Sequence, residues 1–246
     1  MIDLHTHVLP NLVDDDGPKD LEISQAMLDK AYSDGVTKIV ATPHMLKPNP
    51  NRRTEINEAM CFLHHENISL FPGSEIFADE VILKDLENLI PLGNSNYLLI
   101  EFHRAELPHN VEEIIFLLQT NGFECIFAHP ERNGSIVRNP NNLLPLINTG
   151  VLCQVNAGSL LGSYGKESQK TAQILLEHNM AHFIASDMHS ANHRYYSLKE
   201  AVAVAEKYTD PLALVTTNPK TILTKGYLEV SEPKEYKKKG FWFLKF

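Results

Sequence analysis

The sequence predicts an α/β fold, a single-domain barrel of seven strand–helix units, and three observations carry that expectation. Short β-branched or aromatic runs alternate with longer helical patterns, which implies a parallel sheet joined by right-handed crossovers. The 246 residues suit one α/β barrel. Neither a repeat nor a low-complexity segment divides the chain, and composition changes only after residue 228.

The first strand covers 2–7, where apolar Ile2 and Leu4 alternate with Asp3, His5 and His7. Side chains at i and i+2 of a strand share a face, so His5 and His7 can grip one ion together. A helix over 21–33 follows, stopped by Asp34-Gly35, and leads to a strand over 37–42. The next units pair a helix over 52–65 with a strand over 68–72, and a short helix over 81–87 with a strand over 97–102. A helix over 111–121 ends at Asn121-Gly122 before a strand over 124–128, and one over 141–149 ends at Thr149-Gly150 before a strand over 152–156. Helices over 168–179 and 198–208 flank the last strand, 182–186.

Composition narrows the function. The 43% hydrophobic content supports a sizeable core, and no apolar run reaches the roughly 18–20 residues of a membrane span. The N-terminus is a charged strand rather than a secretory signal, so a cytoplasmic location is expected. A net charge of −9 argues against a nucleic-acid surface. Cys61, Cys125 and Cys153 sit in apolar patterns and read as reduced core thiols. From Glu229 to Phe246 the chain becomes a basic–aromatic tail, with Lys237-Lys238-Lys239 before Phe241-Trp242-Phe243. Such a tail can touch an anionic membrane surface weakly, or pack back onto the barrel.

The strand ends carry the chemistry. His5 and His7 end the first strand, ahead of Asp14-Asp15-Asp16-Gly17. His44 follows the second, Glu75 the third, Glu101 ends the fourth, His129 the fifth, and Asp187 and His189 the seventh. Only the sixth strand ends without a titratable group, at Asn156. Active sites of α/β barrels are built on those C-terminal ends, and converging imidazoles and carboxylates suit divalent metals. The set exceeds one ion's needs, about four ligands for zinc or six for an octahedral metal, so two or three ions are expected. Such clusters activate water and neutralise charge on both sides of a phosphate ester. Arg132 and Arg194 fall on loops above that rim, where a guanidinium can hold phosphate oxygens bidentately. Lys47, Arg52 and Arg53 lie in a loop that could receive an anionic peptide or stay solvated. No cysteine is followed six positions later by arginine, and no Walker-type phosphate loop occurs.

His5-x-His7, Asp16-Gly17, Thr42-Pro43-His44, Gly73-Ser74-Glu75, Ile100-Glu101-Phe102, Ala128-His129-Pro130-Glu131-Arg132 and Ala185-Ser186-Asp187-Met188-His189 resemble the polymerase-and-histidinol-phosphatase superfamily. Within it, the chain is most similar to the manganese-dependent bacterial protein-tyrosine phosphatases encoded with capsule and exopolysaccharide genes. The resemblance implies a distorted, TIM-like (β/α)7 barrel with three metals. His5, His7, Glu75 and Asp187 would hold the first; Glu75, Glu101 and His129 the second; Asp16, His44 and His189 the third. It implies phosphate-binding roles for Arg132 and Arg194. The implied substrate is phosphotyrosine on the tail of a cognate bacterial tyrosine kinase that controls polysaccharide synthesis. Manganese is the implied metal, with iron or zinc compatible with the ligand types. The acidic turn is longer than the family's usual one, so Asp15 and Asp14 stand as alternatives to Asp16. Another phosphoesterase of the superfamily, such as histidinol-phosphate phosphatase, is the alternative activity, since only rim loops would differ. An amidohydrolase also begins with His-x-His, but commonly has lysine and histidine where Glu101 and Asn156 stand. A non-catalytic module docking on the kinase is the remaining rival.

Overall fold

The computed structural model describes residues 1–238, so the terminal part of the basic–aromatic tail, 239–246, lies outside the described residues. Nine strands run in chain order: β1 (Ile2–Thr6), β2 (Lys38–Ala41), β3 (His44–Met45), β4 (Ser69–Pro72), β5 (Glu75–Phe77), β6 (Tyr97–Glu101), β7 (Glu124–Ala128), β8 (Leu152–Asn156) and β9 (Phe183–Ala185). All pairings are parallel, in the orders β1-β2-β4 and β3-β5-β6-β7-β8-β9.

The two sheets are one barrel. Strand two is interrupted at Thr42-Pro43, where proline has no N–H to donate, and resumes as β3. Strand three breaks at Gly73-Ser74 and resumes as β5, with Glu75 N–H donating to Pro43 O at 3.1 Å across the break. A bridge from Thr6 to Met188 closes the ring, with His7 N–H donating to Met188 O and Asp187 N–H to His5 O, each at 2.9 Å. The seven expected strands are therefore present, two of them split.

Inside, each strand changes from apolar to polar toward its C-terminal end. Ile2, Leu4, Val40, Leu99, Ile126, Leu152 and Phe183 form the interior apolar cluster. One or two positions further on along the same faces stand Glu101, Gln154 and Asn156, and Asp187. The outward set, including Ile39, Ile76, Leu98, Ile100, Phe127 and Val155, packs against the surrounding helices. Strand β1 departs from simple alternation. Its register with β2 is irregular between Asp3 and Thr6, so Ile2 and Leu4 fill the interior while His5 and His7 also reach the centre. Asp3 does not join them; it accepts from Ser186 N–H at 3.0 Å and ties β1 to β9.

The helix Leu21–Ser33 matches its expected span, and Gly35, Gly122 and Gly150 all adopt positive φ at helix ends. The second helix stops at Cys61, short of 65, because only Arg52 and Ile56 along it are buried and no apolar stripe sustains another turn. Cys61 is consequently exposed, unlike the buried Cys125 and Cys153, and all three thiols are free. The expected helix over 81–87 is two single 3-10 turns, Ile82–Lys84 and Leu86–Asn88. The described part of the tail folds back on the barrel. Lys234 N–H donates to His178 O at 2.8 Å, and Asn141 exchanges two hydrogen bonds with the Tyr236 backbone at 2.8 and 2.9 Å. The Tyr236 ring meets His178 edge-on at 5.5 Å. No helix among the described residues is long and apolar enough to cross a membrane.

Candidate metal centre

The strand-end side chains meet at the C-terminal mouth of the barrel. Four overlapping groups have ligand atoms within 4.8 Å of one another: His7, Asp16, His44 and His189; His5, His7 and Asp187; His5, Glu75 and His129; His44, Glu75 and Glu101. Each of His5, His7, Asp16, His44, Glu75, Glu101, His129, Asp187 and His189 belongs to at least one group. The partition differs from the one implied by resemblance in that His7 also faces Asp16, His44 and His189, its ring stacked on His189 at 3.9 Å.

Glu75 is the hub. Its Oε1 lies 2.7 Å from His129 Nε2. Its Oε2 lies 3.0 Å from His44 Nδ1, 3.2 Å from His5 Nε2 and 3.3 Å from His7 Nε2. Yet Glu75 Oε2 and His44 Nδ1 are both buried without a hydrogen-bond partner. Buried polar atoms are nearly always satisfied, and an oxygen aimed at three imidazole nitrogens with none aligned to it is the arrangement a cation satisfies. The donor set, imidazole and carboxylate without thiolate, fits a divalent ion.

Two of the candidate ligands sit on strained backbone. His129 has φ 37° and Asp187 φ 53°, left-handed conformations uncommon for residues with a side chain. Both turn the chain sharply as it leaves its strand. Gly17 matters for another reason: a Cβ there would lie 2.6 Å from His7 O. Its bare backbone lets the acidic turn pass directly beneath His7.

The acidic turn divides its labour. Asp15 is buried and its Oδ1 receives His7 Nδ1 at 2.7 Å and His44 N–H at 3.0 Å. Asp16 reaches the mouth instead, 2.9 Å from His189 Nε2 and 3.4 Å from His44 Nε2. Asp14 is exposed and belongs to none of the four groups.

Electrostatics follow from crowding imidazoles among carboxylates. Burial disfavours a charged His5, but Glu75 and Asp187 outweigh it and hold the imidazole up at about 10. Against the same burial penalty, His7 is raised chiefly by Asp15, and His44 by the nearby carboxylates of Asp16, Glu101 and Glu75. Burial would raise Glu75, yet the His5 charge, the bond from His129 and the nearby His44 imidazole keep it well below the usual range. Asp187 is lowered to about 2, since His5, His129 and His189 overcome its burial. Burial and the neighbouring His7 push His189 down.

The arginines close the mouth. Arg132 donates to Asp187 Oδ2 at 2.9 Å, its guanidinium 4.0 Å from the centre of the Tyr164 ring. Arg194 donates to Asp16 Oδ2 at 2.5 Å and lies 2.8 Å from His189 Nε2. Arg52, expected in a substrate loop, is instead buried, donating to Val13 O at 2.8 Å and to His44 O. Arg53 donates to Leu89 O at 3.3 Å. Among the described residues the arginine lining the cleft is Arg104, which lies three residues beyond Glu101 and so outside the strand-end pattern.

The sixth strand contributes more than its lack of titratable groups suggests. Gln154 Oε1 lies 2.8 Å from His5 Nδ1, its amide donates to Asn156 Oδ1 at 2.7 Å, and Asn156 Nδ2 donates to Asp187 Oδ2 at 2.6 Å. Glu131 faces away from the centre. Its Oε1 accepts from Asn156 N–H at 3.0 Å and Ser159 Oγ at 2.5 Å, anchoring the end of β8. The available sequence signal was alternation: Gln154 and Asn156 share a face on a strand whose other positions are apolar.

Fold and site together define a TIM-like barrel with a histidine–carboxylate centre at its strand ends. The chain belongs to the CpsB/CapC family of capsular polysaccharide synthesis, whose profile matches residues 1–224. It is 36% identical to CapC of Staphylococcus aureus over 99% of each chain. It is 37% identical to the tyrosine-protein phosphatase YwqE of Bacillus subtilis over 84% of each chain, and 31% identical to the tyrosine-protein phosphatase CpsB of Streptococcus pneumoniae over 91% of this chain and 98% of that one. A crystal structure from work on YwqE and CpsB, described as unique metal-dependent tyrosine phosphatases, superposes with a TM-score of 0.87 at 33% identity, over 97% of this chain and all of that one. A D-hydantoinase shares the barrel, with a TM-score of 0.52 at 14% identity over 93% of this chain and 72% of that one.

Proposed function

We propose that this protein is a metal-dependent protein-tyrosine phosphatase that acts on phosphotyrosine in the tail of a cognate bacterial tyrosine kinase and so regulates capsule or exopolysaccharide synthesis. The observation that carries this reading is Glu75 Oε2, buried and unpartnered among three imidazole nitrogens, in a chain of this family. Two or three divalent ions, manganese first, would be held by His5, His7, Asp16, His44, Glu75, Glu101, His129, Asp187 and His189. Bound there, they supply positive charge to a phosphate and lower the pKa of an attacking water. Arg132 and Arg194 are paired with Asp187 and Asp16, two of those carboxylates. Once the carboxylates turn to cations, both guanidiniums are free to grip the outer phosphate oxygens. Among the described residues no thiol lines the mouth, and its aspartates Asp16 and Asp187 belong to the candidate ligand set, so water would attack phosphorus directly and no phospho-enzyme would form.

Residues 1–228 act as the catalytic barrel, with 229–246 as an appended strap whose basic–aromatic end touches an anionic membrane surface weakly. A kinase tail as substrate places the enzyme in the cytoplasm. The test is phosphate release from a phosphotyrosine peptide with chelator, and after add-back of manganese, zinc or iron, beside histidinol phosphate. Activity restored by metal on the peptide is expected. Full activity in metal-free protein, or faster turnover of histidinol phosphate, overturns the assignment.

A further inference from the structure

The cleft above the centre has a volume of about 580 Å³ and is lined by Asp16, His44 and Glu101 at the metal end, with Leu46, Phe77 and Arg104 beyond them. The strand register explains this order. His44 pairs with Glu75 and Met45 with Ile76, so Phe77 ends β5 just beyond that pair and Leu46 is the first residue after β3. Phe77 sits two residues beyond Glu75 on the same face of β5, which at about 3.3 Å per residue places it some 7 Å further out, and Leu46 lines the cleft beside it. That offset matches the reach of an aromatic ring extending outward from a phosphate held at the ligands.

Leu46 is half-exposed, at 50%, although it is an aliphatic side chain beside a charged centre. Phe77 is part-buried and pairs in register with Glu101. Arg104 is exposed and, unlike Arg132 and Arg194, makes no ion pair among the described residues. Asp14, also exposed, lines the same cleft. The mouth thus offers an apolar pair above the ligands, a free cation and a carboxylate.

Resting on the phosphatase reading, we propose that Leu46 and Phe77 clasp the ring of a phosphotyrosyl substrate, and that Arg104 receives an acidic side chain flanking it. The ring gains burial that a shorter seryl phosphate cannot reach from the same phosphate position. Arg104 attracts a flanking carboxylate that Asp14 repels, which fixes the direction in which the peptide crosses the mouth. These residues determine specificity and do not take part in the chemical step.

The experiment compares wild-type protein, Leu46→Ala, Phe77→Ala and Arg104→Ala, each loaded with manganese. Substrates are phosphotyrosine peptides with acidic or alanine flanks and a phosphoserine peptide, and bound metal is measured throughout. Leu46→Ala and Phe77→Ala should raise KM for the phosphotyrosine peptides about tenfold with kcat within about twofold, while phosphoserine turnover stays unchanged. Arg104→Ala should erase the preference for acidic flanks and leave alanine-flanked peptides unaffected. Because Leu46 is half-exposed, its variant tests the ring clasp even where Phe77→Ala loses metal. Unchanged KM in Leu46→Ala, or a flank preference that survives Arg104→Ala, overturns this inference while leaving the phosphatase intact. A metal-loaded wild-type protein inactive on every phosphotyrosine peptide overturns both.

Discussion

Gln154 Oε1 stands 2.8 Å from Nδ1 of His5, so an amide on the sixth strand selects the tautomer of an imidazole on the first. An amide oxygen can only accept, so His5 donates from Nδ1, and Nε2, 3.2 Å from Glu75 Oε2 and 3.4 Å from Asp187 Oδ1, is the nitrogen left to meet a proton or a cation. The amide is itself fixed through Asn156, which donates to Asp187. This chain joins two ligands without contributing a ligand atom. Gln154→Ala is expected to weaken metal affinity by about 10–100-fold with the fold preserved. Competition against a chelator measures it, and an unchanged affinity contradicts the role.

Asp15 and Asp16 are adjacent in sequence yet differ in what they touch, and stoichiometry separates their roles. Asp15→Asn should keep the full complement of ions but bind them more weakly, since His7 loses the carboxylate that holds its Nδ1. Asp16→Asn should lose about one equivalent, because Asp16 faces His44 and His189 at the mouth. Metal analysis after gel filtration distinguishes them. Equal losses in both variants would contradict the division.

Much of this was legible in the sequence, and the reasons are physical. Most of the seven strands read clearly because parallel strands buried on both faces are near-continuous apolar runs, and the candidate ligands stood out because they cluster at or just after the ends of those strands. What escaped depends on partners distant in sequence. The irregularity in β1 that brings Leu4 and His5 both inward arises from its register with β2. The Gln154–Asn156 layer carries no charge to draw notice, and the breaks at Pro43 and Gly73 split strands that otherwise read as single runs. That Asp15 turns to His7 while Asp16 faces the mouth goes with a close backbone approach at Gly17, which residue order does not encode.

The pH response should reverse with metal. In the metal-free protein His5 is raised from 6.5 to about 10, with His7 and His44 also raised. Their contribution to stability is complete below the unfolded value and disappears as pH climbs through the folded ones. Glu75 and Asp187 are depressed, so theirs is present above the ordinary carboxylate range and lost as pH falls through their folded values, about 2 for Asp187. Metal-free protein should therefore be most stable between about pH 4.5 and 6.5 and weaken toward pH 10. Ions need deprotonated imidazoles and bind the folded chain, so loading should move the optimum above pH 7. Thermal melts with chelator and with manganese across pH 4–9 test this. A chelated sample that melts highest at pH 8 would refute the scheme.

Tyr164 offers the sharpest distinction between ring and hydroxyl. Its ring lies 4.0 Å from the Arg132 guanidinium, and its Oη is buried with no hydrogen-bond partner. The Tyr196 ring supports it edge-on at 5.2 Å. The stack would hold Arg132 over the mouth if Asp187 ligated a cation, and the hydroxyl makes no bond there. Tyr164→Phe keeps the ring and removes an unsatisfied polar atom, so kcat/KM should hold and stability should not fall. Tyr164→Ala removes a cation–π contact worth about 1–2 kcal/mol when desolvated, so kcat/KM should drop about tenfold. Because Arg132 does not ligate metal in this scheme, both variants should bind the same complement of ions. Parallel kinetics and metal analysis on the pair decide the matter. Equal activity in Phe and Ala variants removes Tyr164 from the positioning of Arg132, and equal loss in both transfers the role to the hydroxyl.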